Sequence, residues 1–252
     1  MSFRPDSPLV GEVRPAANHD ERRDGREADI LLLHYTGMDS AEAAVERLVS
    51  AESQVSCHYV VLEDGAVLQL VPEERRAWHA GVSSWDGEGD VNSGSIGIEI
   101  VNPGHEHGYR DFPDAQVEAV TALARDICAR RDLQPQRVLA HSDVAPRRKQ
   151  DPGELFPWYL LAAAGVGHWV APTPVGEGPR LGPGDEGEPV EHLQTLLSLY
   201  GYGIEIDGRY GPATADVVRA FQRHFRPERV DGVADVSTVD TLRNLLAALP
   251  GA

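Results

Sequence analysis

The chain is poor in positive charge, in cysteine and in long apolar runs, and each shortage removes a class of protein. Its 252 residues carry 23 lysines and arginines against 40 aspartates and glutamates, a formal net charge of −17. Nucleic-acid affinity rests largely on neutralising phosphates, so a field of this sign argues against a nucleic-acid partner. Two cysteines, Cys57 and Cys128, are too few for a disulfide framework, and two free thiols are the expectation. No stretch approaches the ~20 apolar residues of a membrane span. The opening "MSFRPDSPLVGEVRP" also lacks the ~7–15-residue apolar core of a secretory signal.

What the chain does have is a glycine- and proline-rich stretch, "GVGHWVAPTPVGEGPRLGPGDEGEPV", with few residues able to sustain a helix or strand. It reads as a linker over residues 166–187. The boundaries that follow are an N-terminal extension at 1–27, a domain of mixed elements at 28–165 and a helical domain at 188–252.

In the mixed part, "DILLLHYT" is a buried-strand candidate, and "DSAEAAVERLVS" is a helix with Asp39 and Glu42 spaced as a capping box. "HYVVLEDGAVLQLV" signals a hairpin turning at Asp64-Gly65. In "SIGIEIV" alternation sets Ile96, Ile98 and Ile100 on one face and Gly97, Glu99 and Val101 on the other. "DAQVEAVTALARDICARR" places Val117, Val120, Ala124 and Ile127 on one helical face, and "RVLAH" is a last short strand. Alternating strands and helices predict an α/β fold with a mixed central sheet and flanking helices. After the linker, three amphipathic segments predict a small three-helix bundle with Leu193, Leu196, Val217, Val218, Phe221 and Leu242 as its core. Nothing in that bundle offers a catalytic set.

The chemistry-bearing residues lie in the mixed part. His34 ends the first strand, His141 ends the last, and Asp151 follows on the loop leaving His141. A catalytic zinc takes three protein ligands and keeps a fourth position for water, so two histidines and one aspartate at one sheet edge would make an open hydrolytic site. A histidine ending an apolar strand is more often structural, and spacing alone does not bring the two together.

The segments "LLLHYTG", "AWHAG", "NSGSIGIEIVN" and "HSDVAPRRKQDPG", in that order from about residue 28 to 160, closely resemble the zinc-dependent N-acetylmuramoyl-L-alanine amidases of the type 2 family. The resemblance implies one Zn2+ per chain held by His34, His141 and Asp151. It implies Glu99 as general base on bound water and Lys149 as the cation facing the oxyanion. His79 and Asn92 match segments lining the substrate groove, for substrate contact or for support of the site from behind. Hydrolysis of the amide between muramic acid and L-alanine, in peptidoglycan or its muropeptide fragments, is the implied activity. Two other readings stay open, a recognition protein that binds without cutting and a zinc peptidase acting within the stem peptide. Glu99 and Lys149 favour an enzyme, because binding alone needs neither.

The tail is similar to three-helix peptidoglycan-binding modules through "PVEHLQTLLSLYGY", "DGRYGPATADVVRAFQ" and "DGVADVSTVDTL". A small dimerisation domain would show the same helical pattern, and no feature sets an oligomeric state. The compartment expected is the cytoplasm, with a periplasmic or wall-associated location as the alternative. Of the remaining groups, His58 reads as structural, His105 and His107 as part of a solvated turn, and Arg147 and Arg148 as surface residues. Cys57 lacks a third group to orient it as a nucleophile beside His58.

Overall fold

The computed structural model describes residues 3–249; residues 1, 2 and 250–252, the outer ends of the expected extension and helical domain, lie outside the described residues. Among the described residues eight strands form: β1 (Glu12–Val13), β2 (His19–Glu21), β3 (Ile30–Tyr35), β4 (Tyr59–Val61), β5 (Val67–Gln69), β6 (Arg75–Ala77), β7 (Ser95–Ile100) and β8 (Val138–Ala140). Six of them make one sheet in the order β1-β5-β4-β7-β3-β8, while β2 and β6 pair separately as an antiparallel ribbon. The neighbours β4, β7, β3 and β8 run parallel, and β5 returns antiparallel beside β4. This is the mixed α/β sheet that the alternation of elements predicts.

The β4–β5 hairpin turns at Gly65, which sits at φ +86°, and a side chain there would lie 2.8 Å from the Ala115 carbonyl oxygen. Only glycine meets both demands. Among the described residues eight α-helices join them: α1 (Ala41–Val49), α2 (Val91–Gly94), α3 (Asp114–Arg131), α4 (His141–Val144), α5 (Trp158–Ala163), α6 (Glu188–Tyr200), α7 (Pro212–Phe225) and α8 (Val236–Ala247). α1 is capped by Ser40, whose Oγ accepts from the Ala43 amide at 3.2 Å, and not by the expected Asp39. The backbone is still extended at Ser40, so the helix begins one residue later than the box requires.

α3 buries Val117, Val120, Leu123, Ala124 and Ile127 against Leu31, Leu33, Ile96, Ile98 and Ile100. Each fully buried aliphatic side chain contributes roughly 1.5–3 kcal/mol relative to exposure. The opposite face of the central strands carries Ile30, Leu32 and His34 on β3, with Gly97 and Glu99 on β7. That face receives the helical domain.

Two expected boundaries need correction. Residues 1–27 are not an appendage: β1 extends the sheet beside β5, β2 pairs with β6, and the Arg22 guanidinium donates to the carbonyls of Glu73, Ser93 and Ser95. β1 and β2, two and three residues long, have no apolar alternation to read, unlike the equally short β4, β5 and β8, and pairing makes them. Residues 166–187 are not a free tether either. Leu181 bridges Ala234, Glu186 bridges Arg209, the Thr173 amide donates to Thr241 Oγ1, and Trp169 and Val170 pack on the core of α6–α8. The amides of Leu181, Gly184 and Gly187 likewise donate to the carbonyls of Ala234, Tyr210 and Gly208 on the helical domain.

In that domain Leu193, Val217, Val218, Phe221 and Leu242 are buried as expected, and Leu196 is partly buried. The same cluster takes in Ile30, Leu32, Trp85, Leu139 and Val144 of the sheet domain, so the two share one core. Cys57 is buried, Cys128 half-buried, and both thiols are free. Among the described residues no helix is long and apolar enough to cross a membrane.

Candidate active site

Three neighbouring parallel strands bring the expected residues to one edge. β3 and β7 pair in register with His34 opposite Glu99, and β8 lies on the other side of β3 and delivers His141 as the first residue of α4. Beyond α4 the chain turns on itself. The Arg148 and Lys149 amides donate to the Ala145 carbonyl and the Ser142 amide donates to the Asp151 carbonyl, which returns Asp151 to His141.

The result is a tight triad. His34 Nδ1 lies 2.8 Å from His141 Nδ1 and 3.1 Å from Asp151 Oδ2, and His141 Nδ1 lies 2.8 Å from the same oxygen. All three side chains are buried. The protons point outward. His141 Nε2 is 3.1 Å from the Ala80 carbonyl, which only accepts, so that nitrogen carries hydrogen and Nδ1 offers its lone pair. His34 Nε2 donates in the same way to His79 Nδ1 at 3.0 Å, and His79 Nε2 turns towards Ser95 Oγ at 3.5 Å. Burial, followed by the neighbouring His141, lowers the His34 pKa to about 4, which keeps the ring neutral near pH 7. Burial raises Asp151, yet His141 and His34 overcome it and hold its carboxyl well below the usual range.

Two imidazole lone pairs and a carboxylate therefore converge on one point, a donor set that asks for a cation. A tetrahedral Zn2+ with bonds of ~2.0–2.1 Å separates its ligands by about 3.3 Å, a few tenths wider than the distances found here. The residues fit such an ion, and outward N–H groups held by fixed partners are what orient histidine ligands.

Glu99 faces this point from β7. Its carboxyl is pushed well above the usual range by burial and then by the charge of Asp151, with Lys149 opposing. Among the described residues Glu99 Oε2 is buried without a hydrogen-bond partner, which for a carboxylate oxygen marks a group facing chemistry rather than packing. Glu99, Lys149, His79 and the triad line one cavity of about 580 Å³, together with Trp78, Arg47 and His105.

Asn92 stands apart from it. Of the two roles expected for it, substrate contact or support of the site, the geometry gives the support. Asn92 is buried, and its Oδ1 accepts from the amides of His79 at 3.1 Å and Ala80 at 2.8 Å. It thereby fixes the two residues that orient His34 and His141. His79 itself lies within the cavity wall and is half-buried; its ring nests over Gly97, where a Cβ would come within 2.7 Å of it.

Sequence reasoning missed three further groups. His105 is no free turn residue: it bonds Tyr35 Oη at 3.0 Å and Glu154 at 3.2 Å, stacks on Tyr109 and lines the cavity. His107 is exposed as expected of that turn, 3.1 Å from Asp39, and it too lines the cavity. Arg148 is exposed, as expected, but it also lines the cavity and donates to the carbonyls of Ala80 and Val82. His58 is buried between the Gly97 amide and the Arg75 carbonyl, a structural position. The third group is Asp143, buried beside His141 and bonded to Tyr202 and His224 of the helical domain, a contact for which no local pattern exists.

With this geometry in hand, the likeness to known proteins becomes specific. Residues 24–154 match the N-acetylmuramoyl-L-alanine amidase family, and residues 186–242 match a peptidoglycan binding domain family. The chain is 38% identical over 242 residues to N-acetylmuramoyl-L-alanine amidase AmiD of Escherichia coli, covering 87% of this chain and 84% of that protein. It is 32% identical over 171 residues to 1,6-anhydro-N-acetylmuramyl-L-alanine amidase AmpD of the same organism, covering 60% of this chain and 90% of that protein. A solved complex of AmiD from E. coli with the substrate anhydro-N-acetylmuramic acid-L-Ala-D-γ-Glu-L-Lys superposes with a TM-score of 0.75 at 36% identity, covering 93% of this chain and 92% of that one. AmpDh3 of Pseudomonas aeruginosa in complex with anhydromuramic pentapeptide gives 0.71 at 30% identity, covering 96% and 94%.

Proposed function

This chain belongs to the N-acetylmuramoyl-L-alanine amidase family, and on that footing we infer that it hydrolyses the amide between muramic acid, or its anhydro form, and L-alanine in peptidoglycan fragments. The observation that carries the reading is the convergence of His34, His141 and Asp151 within 3.1 Å, below the unpartnered Glu99 Oε2 and inside one cavity. His34, His141 and Asp151 would hold one Zn2+. Such an ion supplies a Lewis acid for the lactyl carbonyl and lowers the pKa of water from 15.7 to about 7.

The chain's own groups do the rest. Glu99 accepts a proton from the attacking water as its oxygen bonds to the lactyl carbonyl carbon. It then passes that proton to the L-alanine nitrogen as the carbon–nitrogen bond breaks, so acid and amine leave with the proton count conserved. Lys149, to which a Zn2+ held by the triad would add, draws the burial-raised Glu99 towards its carboxylate form, the form a base needs. Lys149 holds a positive charge against the developing oxyanion. A receptor would need neither group at the bottom of the cavity, which favours the enzyme.

The helical domain supports peptidoglycan as the larger ligand. Beside its match to a peptidoglycan binding domain, it carries a second cavity of about 340 Å³ lined by Leu181, Leu196 and Val239 with Arg180 and Arg243 at hand. Apolar walls with a few polar groups suit a sugar face and its hydroxyls. A cytoplasmic location is proposed on the two free thiols, and cell fractionation checks it.

Metal analysis tests the reading. Purified protein should hold one zinc per chain, and a chelator should abolish turnover that added zinc restores. Full turnover in metal-free protein would overturn it.

A further inference from the structure

The segment 141–151 carries two of the three ligands and Lys149, yet has only one helical turn of regular structure. Its own domain holds it through Ala80 and Arg148, as above. The other hold comes from the helical domain. Asp143, 0% exposed, accepts Tyr202 Oη at 2.7 Å on Oδ1 and His224 Nδ1 at 2.6 Å on Oδ2, and its Oδ2 also takes the Ala140 amide at 2.8 Å. One residue earlier on α7, Arg223 donates to Gln150 Oε1 at 3.1 Å and lies 3.8 Å from Glu154, on either side of Asp151. The His224 ring is itself fixed between Trp158 and Phe225, with centroids at 3.7 and 3.8 Å.

A buried carboxylate two residues from a ligand, satisfied by two donors from another domain, is a costly way merely to join domains. Apolar contact of the kind already present would serve. What the polar contact adds is direction, because charge-assisted hydrogen bonds fix an orientation that packing leaves loose. We propose that the helical domain is a working part of the catalytic centre: Tyr202 and His224 act through Asp143 as positioning residues for His141, and Arg223 does the same for Asp151. The inference rests on the reading of His34, His141 and Asp151 as zinc ligands. It assigns to this domain a second task beside any wall binding, that of setting metal affinity.

The test uses the full chain. Tyr202→Phe and His224→Phe remove one donor each and keep the ring; His224→Asn returns an N–H near the Nδ1 position. Tyr200→Phe is the control, since it removes the 2.9 Å bond to His168 beside Tyr202, keeps the ring and takes no hydrogen bond from the segment. Zinc dissociation constants are measured by competition with a chromophoric chelator, and ligand geometry by visible absorption of the cobalt(II)-substituted protein. Supporting changes to a ligand typically cost ~10–100-fold in metal affinity, so Tyr202→Phe and His224→Phe should weaken zinc about tenfold or more and shift the cobalt bands. His224→Asn should recover most of the loss, and Tyr200→Phe should bind as the wild type does. Wild-type affinity and spectrum in both Phe variants would overturn the proposal, as would an equal loss in the Tyr200→Phe control. A wild type that binds no zinc at all would instead overturn the reading of the triad, and the positioning role with it.

Discussion

His34 and Glu99 are direct register partners on two parallel strands, so one pairing of β3 with β7 sets a proposed metal ligand and the proposed base side by side on the same sheet face. Their backbones are bonded into the middle of a six-stranded sheet and backed by α3. Position is thus supplied by the hydrogen-bonded centre of the sheet, and only Lys149 and Asp151 come from a loop.

Glu99→Gln separates base from ligand. It keeps the volume and leaves His34, His141 and Asp151 intact, so zinc content should match the wild type. Turnover should fall by ~10²–10⁴, the usual contribution of a positioned proton-transfer group. Metal analysis alongside steady-state rates checks it, and undiminished turnover would exclude this carboxylate as base.

Asn92→Ala removes the acceptor shared by the His79 and Ala80 amides, and with it the fixed partners of both histidine ligands. Zinc should bind ~10–100-fold more weakly while KM, measured under saturating zinc, stays near the wild-type value. A raised KM with unaltered zinc affinity would mean that Asn92 touches substrate after all. Gly97→Ala should act in the same direction by displacing the His79 ring.

Stability at low pH should depend on Glu73. This buried carboxylate accepts from Arg130, Arg131 and Tyr59 Oη. Burial alone would raise it, but those donors lower its pKa from 4.5 to about 2. The folded state therefore binds its proton less readily than the unfolded chain does. The resulting stability, up to about 3 kcal/mol, is fully present above pH ~4.5 and is lost as pH falls through ~2. Glu73→Gln should lower the thermal midpoint at pH 7 and flatten its decline between those limits. An equally steep decline in the variant would assign it to other groups.

Cutting the chain near Gly176 should cost both fold and turnover, because Ile30, Leu32, Leu139 and Trp85 lose their cover and Asp143 loses two donors. The glycine- and proline-rich composition alone suggests a detachable module, and the shared core reverses that expectation. Thermal melts of the truncated chain check it; a cooperative melt at the full-length temperature with intact turnover would contradict it.

What the sequence made legible was local. β3 and β7 announce themselves by an apolar run and by strict alternation, and the ligands stand at strand ends where motifs preserve them. The supports were not legible because each joins residues far apart: His79 to His34 across 45 positions, Asp143 to Tyr202 across 59 and to His224 across 81. Asn92 was visible as part of a motif, but whether its side chain faces the cavity or the loop behind it depends on where residues 79 and 80 pass. The short strands β1 and β2 exist only through their partners, so no periodicity within residues 12–21 could reveal them.

The central claim is tested most directly by mass spectrometry of the products from an anhydromuramoyl tripeptide incubated in H₂¹⁸O. The account predicts free tripeptide beginning with L-alanine and anhydro-N-acetylmuramic acid carrying one ¹⁸O in its lactyl carboxylate, both lost on chelation and regained with one zinc per chain. Products that keep L-alanine on the muramic acid would show cleavage within the stem peptide, and tight binding with no cleavage by the zinc-loaded protein would show a receptor; either would contradict it.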